Sequence, residues 1–232
     1  MKSSDRVFRL FDSKATLHRT LAHHVAQNLT EAIAKKGSAS LMLSGGNTPR
    51  PFLVELAGEN VAWDKVKIGL VDERWVDPGS EKSNEHLVRT ELLGQGAEAA
   101  AFFGMYREGK SVEEACADVE ATYKKELFPF DVVVLGMGGD GHTASLFPNR
   151  PELKHLFRDK IICGAAEAPV EPKTRLSLSL YAIASAAHCY VHIEGGEKLA
   201  VYEEAFSGKD TEAMPIRAVL DHPAIMPAVY YT

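Results

Sequence analysis

The sequence has few cysteines, no long apolar run and no excess of positive charge, and each deficit excludes a class of protein. Its three cysteines, Cys116, Cys163 and Cys189, are odd in number and lie far apart, so neither a disulfide framework nor a CxxC zinc site is expected. No stretch approaches the roughly 20 apolar residues of a membrane span. The segment from Met1 to Arg19 lacks the apolar core of a signal peptide, and we therefore expect a cytoplasmic protein without membrane contact.

Acidic residues outnumber basic ones, 32 to 26, which gives a formal net charge of −6. A chain of this charge is poorly suited to nucleic acid or an anionic membrane as its main partner. A small anionic substrate is compatible with it, because a pocket on an acidic protein can be locally basic. The length of 232 residues is sufficient for one large α/β domain with an ample core.

Helical and strand-like patterns alternate along the chain. Apolar residues recur every four positions from about Lys14 to Lys36, which predicts an amphipathic helix. Ser111 and Glu114 form a capping box at the start of another helix. The remaining predictions are strands at 40–43, 66–71, 161–162 and 189–193 and near 131 and 229, and helices through 52–56, 83–93, 111–127, 178–187 and 197–206. Repeated β–α units without a visible boundary predict a single layered α/β domain over residues 1–232, with a mostly parallel central sheet flanked by helices.

A glycine-containing turn follows the first of these predicted strands and precedes a helix. Its backbone N–H groups and the positive end of the helix can converge on an anion, and two hydroxyl groups add donors. A plain glycine turn is the alternative, and the GK[ST] ending of a Walker A loop is missing. The candidate phosphate-binding residues of this turn are Ser44, Gly45, Gly46, Asn47 and Thr48.

Charged residues stand at the ends of several other predicted elements. Asp72, Glu73 and Arg74 directly follow a strand, and Arg74 can bind a carboxylate, a phosphate or an oxyanion with its planar guanidinium. Arg175 begins an apolar segment and Lys198 follows a glycine turn. For each residue a solvated surface charge is the alternative, but together with the turn they favour a phosphate-binding pocket.

The segment GMGGDGH, residues 136–142, carries the strongest chemical signal. It follows a buried strand, so Asp140 and His142 lie at the edge where open α/β sheets bind ligands. Thr143 and Ser145 are expected to start a short helix. A capping or core histidine is the alternative, but the aspartate two residues away favours a general base.

The glycines of this segment also match the dinucleotide-binding pattern GxGxxG, with Asp159 near the position of a ribose ligand. Ionisable side chains stand where a pyrophosphate needs bare backbone, which argues against that interpretation. No metal site is predicted, because His23 and His24 are adjacent and point about 100° apart on a helix, and no HExxH or CxxC pattern occurs. No cofactor is therefore expected.

Six segments together resemble the 6-phosphogluconolactonase family, and they keep their order from about residue 40 to the C-terminus. The segments are SGGNTPRPF, LVDERWVD with SNEHLVR, DVVVLGMGGDGHTASLFP, EPKTRLSLSL, GGEKLAVYEEA and MPIRAVLDHPAIMPAVYY. Asn47 stands where the family often has serine, and Gly139 where it often has an acidic residue. Neither departure removes a proposed catalytic group.

The resemblance implies a Rossmann-like fold of the sugar-phosphate isomerase type and metal-free hydrolysis of a small phosphorylated sugar lactone. It implies His142 as the base, with Asp140 and Arg74 assisting, and a monomer or weak homo-oligomer. Glucosamine-6-phosphate deaminase is the alternative enzyme, but Phe147 stands where that family carries a proton-relaying glutamate. A sugar-phosphate sensor that binds without turnover is the alternative outside enzymes.

Overall fold

Ten short strands and eight helices make up the part of the chain that the computed structural model describes, residues 7–232. The strands are β1 (Val7–Leu10), β2 (Ala39–Leu43), β3 (Val66–Leu70), β4 (Asp72–Arg74), β5 (Ala101–Phe103), β6 (Val132–Gly136), β7 (Cys163–Glu167), β8 (Thr174–Leu178), β9 (His188–Ile193) and β10 (Ala228–Tyr231). The helices are α1 (Lys14–Lys36), α2 (Arg50–Ala57), α3 (Asn84–Glu91), α4 (Val112–Glu126), α5 (Leu153–Arg158), α6 (Leu180–Ile183), α7 (Gly196–Ala205) and α8 (Ile216–Leu220).

Seven of the strands form one parallel sheet in the order β1-β10-β9-β6-β2-β3-β5. The central strands β2 and β6 are apolar along almost their whole length and are buried, and β9 is buried beyond His188, as expected for a parallel sheet covered by helices. Because these three strands are neighbours, the residues that follow their carboxyl ends meet at one edge of the sheet. The predicted α/β class with a mostly parallel central sheet flanked by helices is confirmed.

The first helix has the bounds that its sequence pattern predicts. The Ser13 hydroxyl accepts the N–H of Thr16 at the N-terminus, and Gly37 ends the helix in the left-handed region at φ 83°. The predicted apolar stripe runs from Leu17 to Ile33; it is buried as far as Leu29, and Ile33 is partly buried. Buried apolar side chains form a cluster that runs from this helix to β10.

A second, three-stranded antiparallel sheet has the order β4-β8-β7. Its strand β4 consists of three charged residues, which were predicted to follow a strand and not to form one. The prediction of a helix over 178–187 was wrong in extent, because Leu178 still pairs with Cys163 in the sheet and α6 covers only Leu180–Ile183. The strand expected at 161–162 lies at Cys163–Glu167. In this sheet Arg74 stands directly opposite Arg175.

The short helix expected at Thr143 and Ser145 is not formed. Ala144 has φ 49°, and the N–H of Leu146 bonds to the carbonyl of Thr143, so the chain makes a tight turn. The Thr143 hydroxyl donates to the carbonyl of Gly136 instead of capping a helix. A helix N-terminus therefore does not act on the neighbouring histidine.

The two edge strands of the parallel sheet, β1 and β5, were not predicted. They have four and three residues, which are too few to show a hydrophobic period. Within residues 7–232, no helix has the length and apolar content to cross a membrane.

Candidate active site

A cavity of about 340 Å³ opens at the carboxyl ends of β2, β6 and β9, beside β4 and β8, and its volume is in the range of small-molecule sites. The turns after the parallel strands contribute backbone to its wall, and charged side chains from several elements surround it. The predicted site residues that line it are Ser44, Gly45, Gly46, Thr48, Asp72, Arg74, His142, Arg175 and Lys198. Three further predicted residues, Asn47, Glu73 and Asp140, are outside this lining.

The turn after β2 is fixed to its neighbours by short contacts. The Ser44 hydroxyl accepts the N–H of Gly136 at 3.2 Å, which joins the turns after β2 and β6. A Cβ at Gly45 would lie 1.8 Å from Oδ1 of Asn84, so only glycine fits there. Asn47 is exposed, whereas the backbone around it borders the cavity. The turn therefore presents backbone and hydroxyl groups, rather than the Asn47 side chain, to a ligand.

Asp140 and His142 form a hydrogen-bonded pair in the turn after β6. The carboxylate Oδ1 of Asp140 lies 2.5 Å from Nδ1 of His142 and also accepts the His142 backbone N–H. Partial burial opposes ionisation of Asp140, but the hydrogen bond and charge of His142 outweigh it, so the pKa of the carboxyl lies below its ordinary value. An ionised carboxylate on Nδ1 leaves Nε2 of His142 available to accept a proton. A Cβ at Gly138 would lie 2.0 Å from Nδ1 of His142, so the pair also requires glycine there.

Three cations, Arg74, Arg175 and Lys198, line the cavity. Arg175 is 5% exposed and donates from Nε to the carbonyl of Pro172, with its guanidinium 6.0 Å from the ring of Phe147. Burial lowers the pKa of Arg175, while the charge of Asp72 opposes this shift. Burial also lowers the pKa of Lys198. A buried cation gains from an anionic partner, so this side of the cavity favours a phosphate.

Arg74 lies beside the N-terminus of α3, where its guanidinium makes one hydrogen bond to the backbone. Its Nη1 donates to the carbonyl of Lys82 at 2.8 Å. Its Nε is buried without a hydrogen-bond partner among the described residues. Arg74 also lines the cavity, so an oxygen that enters there can meet its guanidinium.

Asp72 connects three segments of the site. Its Oδ2 accepts the hydroxyl of Ser145 at 2.6 Å, and its backbone carbonyl accepts Nδ2 of Asn84 at 2.8 Å. Asn84 in turn packs against Gly45. The carboxylate is 6% exposed. These contacts place Asp72 as a brace between the turns after β2 and β6, at the cavity wall.

Glu73 points away from the cavity and caps α3. Its carboxylate accepts the N–H groups of Asn84 and Glu85, at 2.7 and 2.8 Å, and the hydroxyl of Ser83 at 2.9 Å. It is fully buried, and burial raises its pKa to about 7 against the opposing effect of these donors. The structure therefore does not bring Glu73 to the substrate, and its observed contacts are those of a helix cap.

Glu73→Ala should destabilise the fold by about 3 kcal/mol, because two buried N–H groups at the start of α3 lose their acceptor. Urea unfolding monitored by circular dichroism measures this loss. The exposed neighbour Glu81→Ala is the matched control and should change stability by less than about 0.5 kcal/mol. A loss as small for Glu73→Ala as for the control would contradict the capping role.

Wild type and Glu73→Ala should also differ in how their stability depends on pH. Because the pKa of Glu73 is raised to about 7 in the fold, the folded state binds this proton more tightly than the unfolded chain does. The contribution of Glu73 is therefore complete below its ordinary pKa and decreases as the pH rises through about 7. The stability difference between wild type and Glu73→Ala should shrink over that interval, and a widening difference would contradict the raised pKa.

Sequence reasoning did not identify all of the cavity wall. His192 and Glu194 also line it, at and just beyond the end of β9. Residues two apart in a strand share a face, so this spacing was a usable signal. Asn84 also lines the cavity. Its role depends on a contact with Gly45, 39 positions away in the sequence (84 minus 45), which no local pattern indicates.

Comparison with known proteins places the chain in a family. The family model for glucosamine-6-phosphate isomerases/6-phosphogluconolactonase matches residues 12–226. A 6-phosphogluconolactonase of Pseudomonas putida is 43% identical over 220 residues, covering 94% of this chain and 90% of the relative. One of Mesorhizobium japonicum is 43% identical over 215 residues, covering 91% and 89%.

Solved structures agree with the sequence matches. The crystal structure of a 6-phosphogluconolactonase from Shewanella baltica has a TM-score of 0.95 at 38% identity and covers 98% of both chains. A monomeric glucosamine-6-phosphate deaminase has a TM-score of 0.81 at 17% identity, covering 97% of this chain and 96% of the other, which shows a shared fold alone. The resemblance seen in the sequence motifs is thus confirmed, and the chain belongs to the glucosamine-6-phosphate isomerase/6-phosphogluconolactonase family.

Proposed function

We propose that this chain is an enzyme that hydrolyses 6-phospho-D-glucono-1,5-lactone to 6-phospho-D-gluconate in the oxidative pentose phosphate pathway. The observation that carries the proposal is that His142, hydrogen-bonded to Asp140, lines one cavity with the buried Arg175 and with Lys198. A base beside an anion-binding wall suits a phosphorylated ester. The sequence relatives at about 40% identity, which carry the lactonase name, support the same reaction.

The base of the proposed reaction is Nε2 of His142. Asp140 holds Nδ1 and fixes the ring, so Nε2 removes a proton from water as the oxygen attacks the lactone carbonyl carbon. The C–O bond to the ring oxygen then breaks, and the same histidine returns the proton to the departing oxygen. A strained lactone is already electrophilic, so positioned acid–base catalysis suffices in this scheme without a metal ion or other cofactor.

The remaining residues bind charge. Arg74, which lines the cavity, is the proposed donor to the developing oxyanion. The phosphate is proposed to bind Arg175, Lys198 and the backbone and hydroxyl groups of the turn from Ser44 to Thr48. Binding energy from this remote group holds the carbonyl against the base.

The contact between His142 and Phe147 favours hydrolysis over deamination. The ring centroids are 4.6 Å apart, and Phe147 is buried beside the base. The deaminase family carries a proton-relaying glutamate at the position of Phe147. A phenyl ring cannot relay a proton. A sensor that only binds has no use for the Asp140–His142 hydrogen bond.

The first test is proton release from freshly prepared 6-phosphogluconolactone. The wild-type chain should accelerate release well above spontaneous hydrolysis and should not convert glucosamine 6-phosphate. Tight binding of 6-phosphogluconate without acceleration would replace the proposal by the sensor function. Turnover of glucosamine 6-phosphate alone would replace it by the deaminase function.

The proposed partner is the small phosphorylated lactone, and the reaction requires neither nucleic acid nor a membrane. The chain is proposed to act in the cytoplasm as a single domain, as a monomer or weak homo-oligomer. Sedimentation at several protein concentrations distinguishes these states from a stable oligomer.

A further inference from the structure

A second cluster of titratable side chains lies beside the cavity, where the first turns of α1 meet the end of β9. The Oε1 atom of Glu194 is 2.7 Å from Nε2 of His18 and 3.0 Å from Nε2 of His192. The other carboxylate oxygen is 2.8 Å from Nζ of Lys14. The proposed reaction does not use this cluster, which is distinct from the Asp140–His142 pair.

The donor set is that of a three-ligand zinc site. Two imidazoles and one carboxylate occur together in zinc sites that keep a further position for water. One ligand atom from each of His18, His192 and Glu194 lies within 4.8 Å of the other two. Tetrahedral zinc with bonds of about 2.0–2.1 Å separates its ligands by roughly 3.4 Å, so the two hydrogen bonds need to open by less than about 1 Å.

The cluster lies on ordered elements and has a displaceable cation beside it. Among the described residues, Lys14 is the cation in contact with Glu194, and its side chain is 67% exposed and therefore displaceable. Both imidazoles are carried by regular elements, a long helix and a central strand, which limits their movement.

We propose that His18, His192 and Glu194 form a binding site for a divalent transition metal ion, best matched by Zn²⁺. The two Nε2 atoms and a carboxylate oxygen are the protein ligands. Because His192 and Glu194 also line the cavity, water from the cavity completes the coordination. The ion adds positive charge to the cavity wall near the turn that leads to Lys198. Binding of the ion can be measured without turnover of the lactone.

Calorimetric titration of the chelator-treated full chain with Zn²⁺ tests the site, and Co²⁺ gives a visible spectrum that reports tetrahedral coordination. We expect one ion per chain and a loss of affinity of about 100-fold or more in His18→Ala and in Glu194→Gln. His23→Ala is the matched control on the same helix and should bind as wild type does. Lys14→Gln should bind more tightly, because a competing cation is removed.

The His142→Ala variant should bind Zn²⁺ as wild type does. This result separates the site from the Asp140–His142 pair. Absence of binding to wild type, unchanged affinity in His18→Ala, or loss of binding in His142→Ala would each overturn the proposal. Circular dichroism confirms that each variant is folded. If His18→Ala unfolds, His18→Gln replaces it, since that side chain keeps a polar group at the buried position.

Discussion

His142→Ala should lower kcat for 6-phosphogluconolactone by about 10²–10⁴-fold while leaving KM close to the wild-type value. The variant removes the proposed base, whereas the cations proposed to bind the phosphate are untouched. Because the lost interaction acts in the transition state and not in substrate binding, the effect belongs in kcat. Proton release at saturating, freshly prepared lactone measures it, after subtraction of spontaneous hydrolysis.

A second histidine–aspartate pair provides the matched control. Nδ1 of His155 lies 3.0 Å from Oδ2 of Asp159 on the surface of α5, outside the cavity, and the His155 side chain is 77% exposed. His155→Ala should therefore leave kcat and KM unchanged. A kcat for His142→Ala within about threefold of wild type would remove this histidine from the chemistry, and the lactone would then need another base.

The Asp140–His142 pair was predictable because its geometry is local. The two residues are two positions apart, and an apolar strand followed by glycines predicts both the turn and its place at the sheet edge. The turn from Ser44 to Thr48 was predictable for the same reason. Where sequence neighbours are also spatial neighbours, a pattern of residue types is sufficient to indicate the arrangement.

Contacts between distant segments were not predictable in this way. Arg74 and Arg175 are opposite each other because β4 and β8 pair, yet three charged residues give no sign of a strand. Glu73 belongs to the same charged triplet, but its carboxylate is buried under α3. No strand was predicted at β8, although polar and apolar residues alternate there, and its pairing partners depend on the tertiary fold.

The failed helix prediction after His142 has a similar cause. Thr143 and Ser145 are good helix-capping residues, and the sequence pattern favours a helix start. In the structure their hydroxyls bond to Gly136 and Asp72 instead, on two other segments. Tertiary hydrogen bonds thus override a local propensity, and they also hold the turn that carries His142 against the cavity wall.

Arg175→Ala should reduce kcat/KM for the phosphorylated lactone by about 10²–10³-fold and change that for unphosphorylated gluconolactone far less. Its Nε is held by Pro172, and no other residue of the described chain accepts a bond from its terminal nitrogens, which leaves them for a phosphate. Truncating one partner of a buried charged pair costs about 2–5 kcal/mol, or roughly 30-fold to several thousand-fold, and the expected loss lies within this range. Lys198→Ala should act in the same direction with a smaller effect, because that side chain is less buried. Initial rates on the two lactones give the ratio.

Arg158→Ala is the matched control for removal of an arginine, since its side chain is 73% exposed on α5 and outside the cavity. It should leave both rates unchanged. Thermal unfolding of Arg175→Ala separates a phosphate effect from a loss of folding, because Arg175 also lies near the buried Asp72. A loss through unfolding reduces the rates on both lactones by the same factor, whereas loss of phosphate binding changes their ratio. Equal losses in a folded variant would mean that the phosphate binds elsewhere in the cavity, with the turn after β2 as the next position to test.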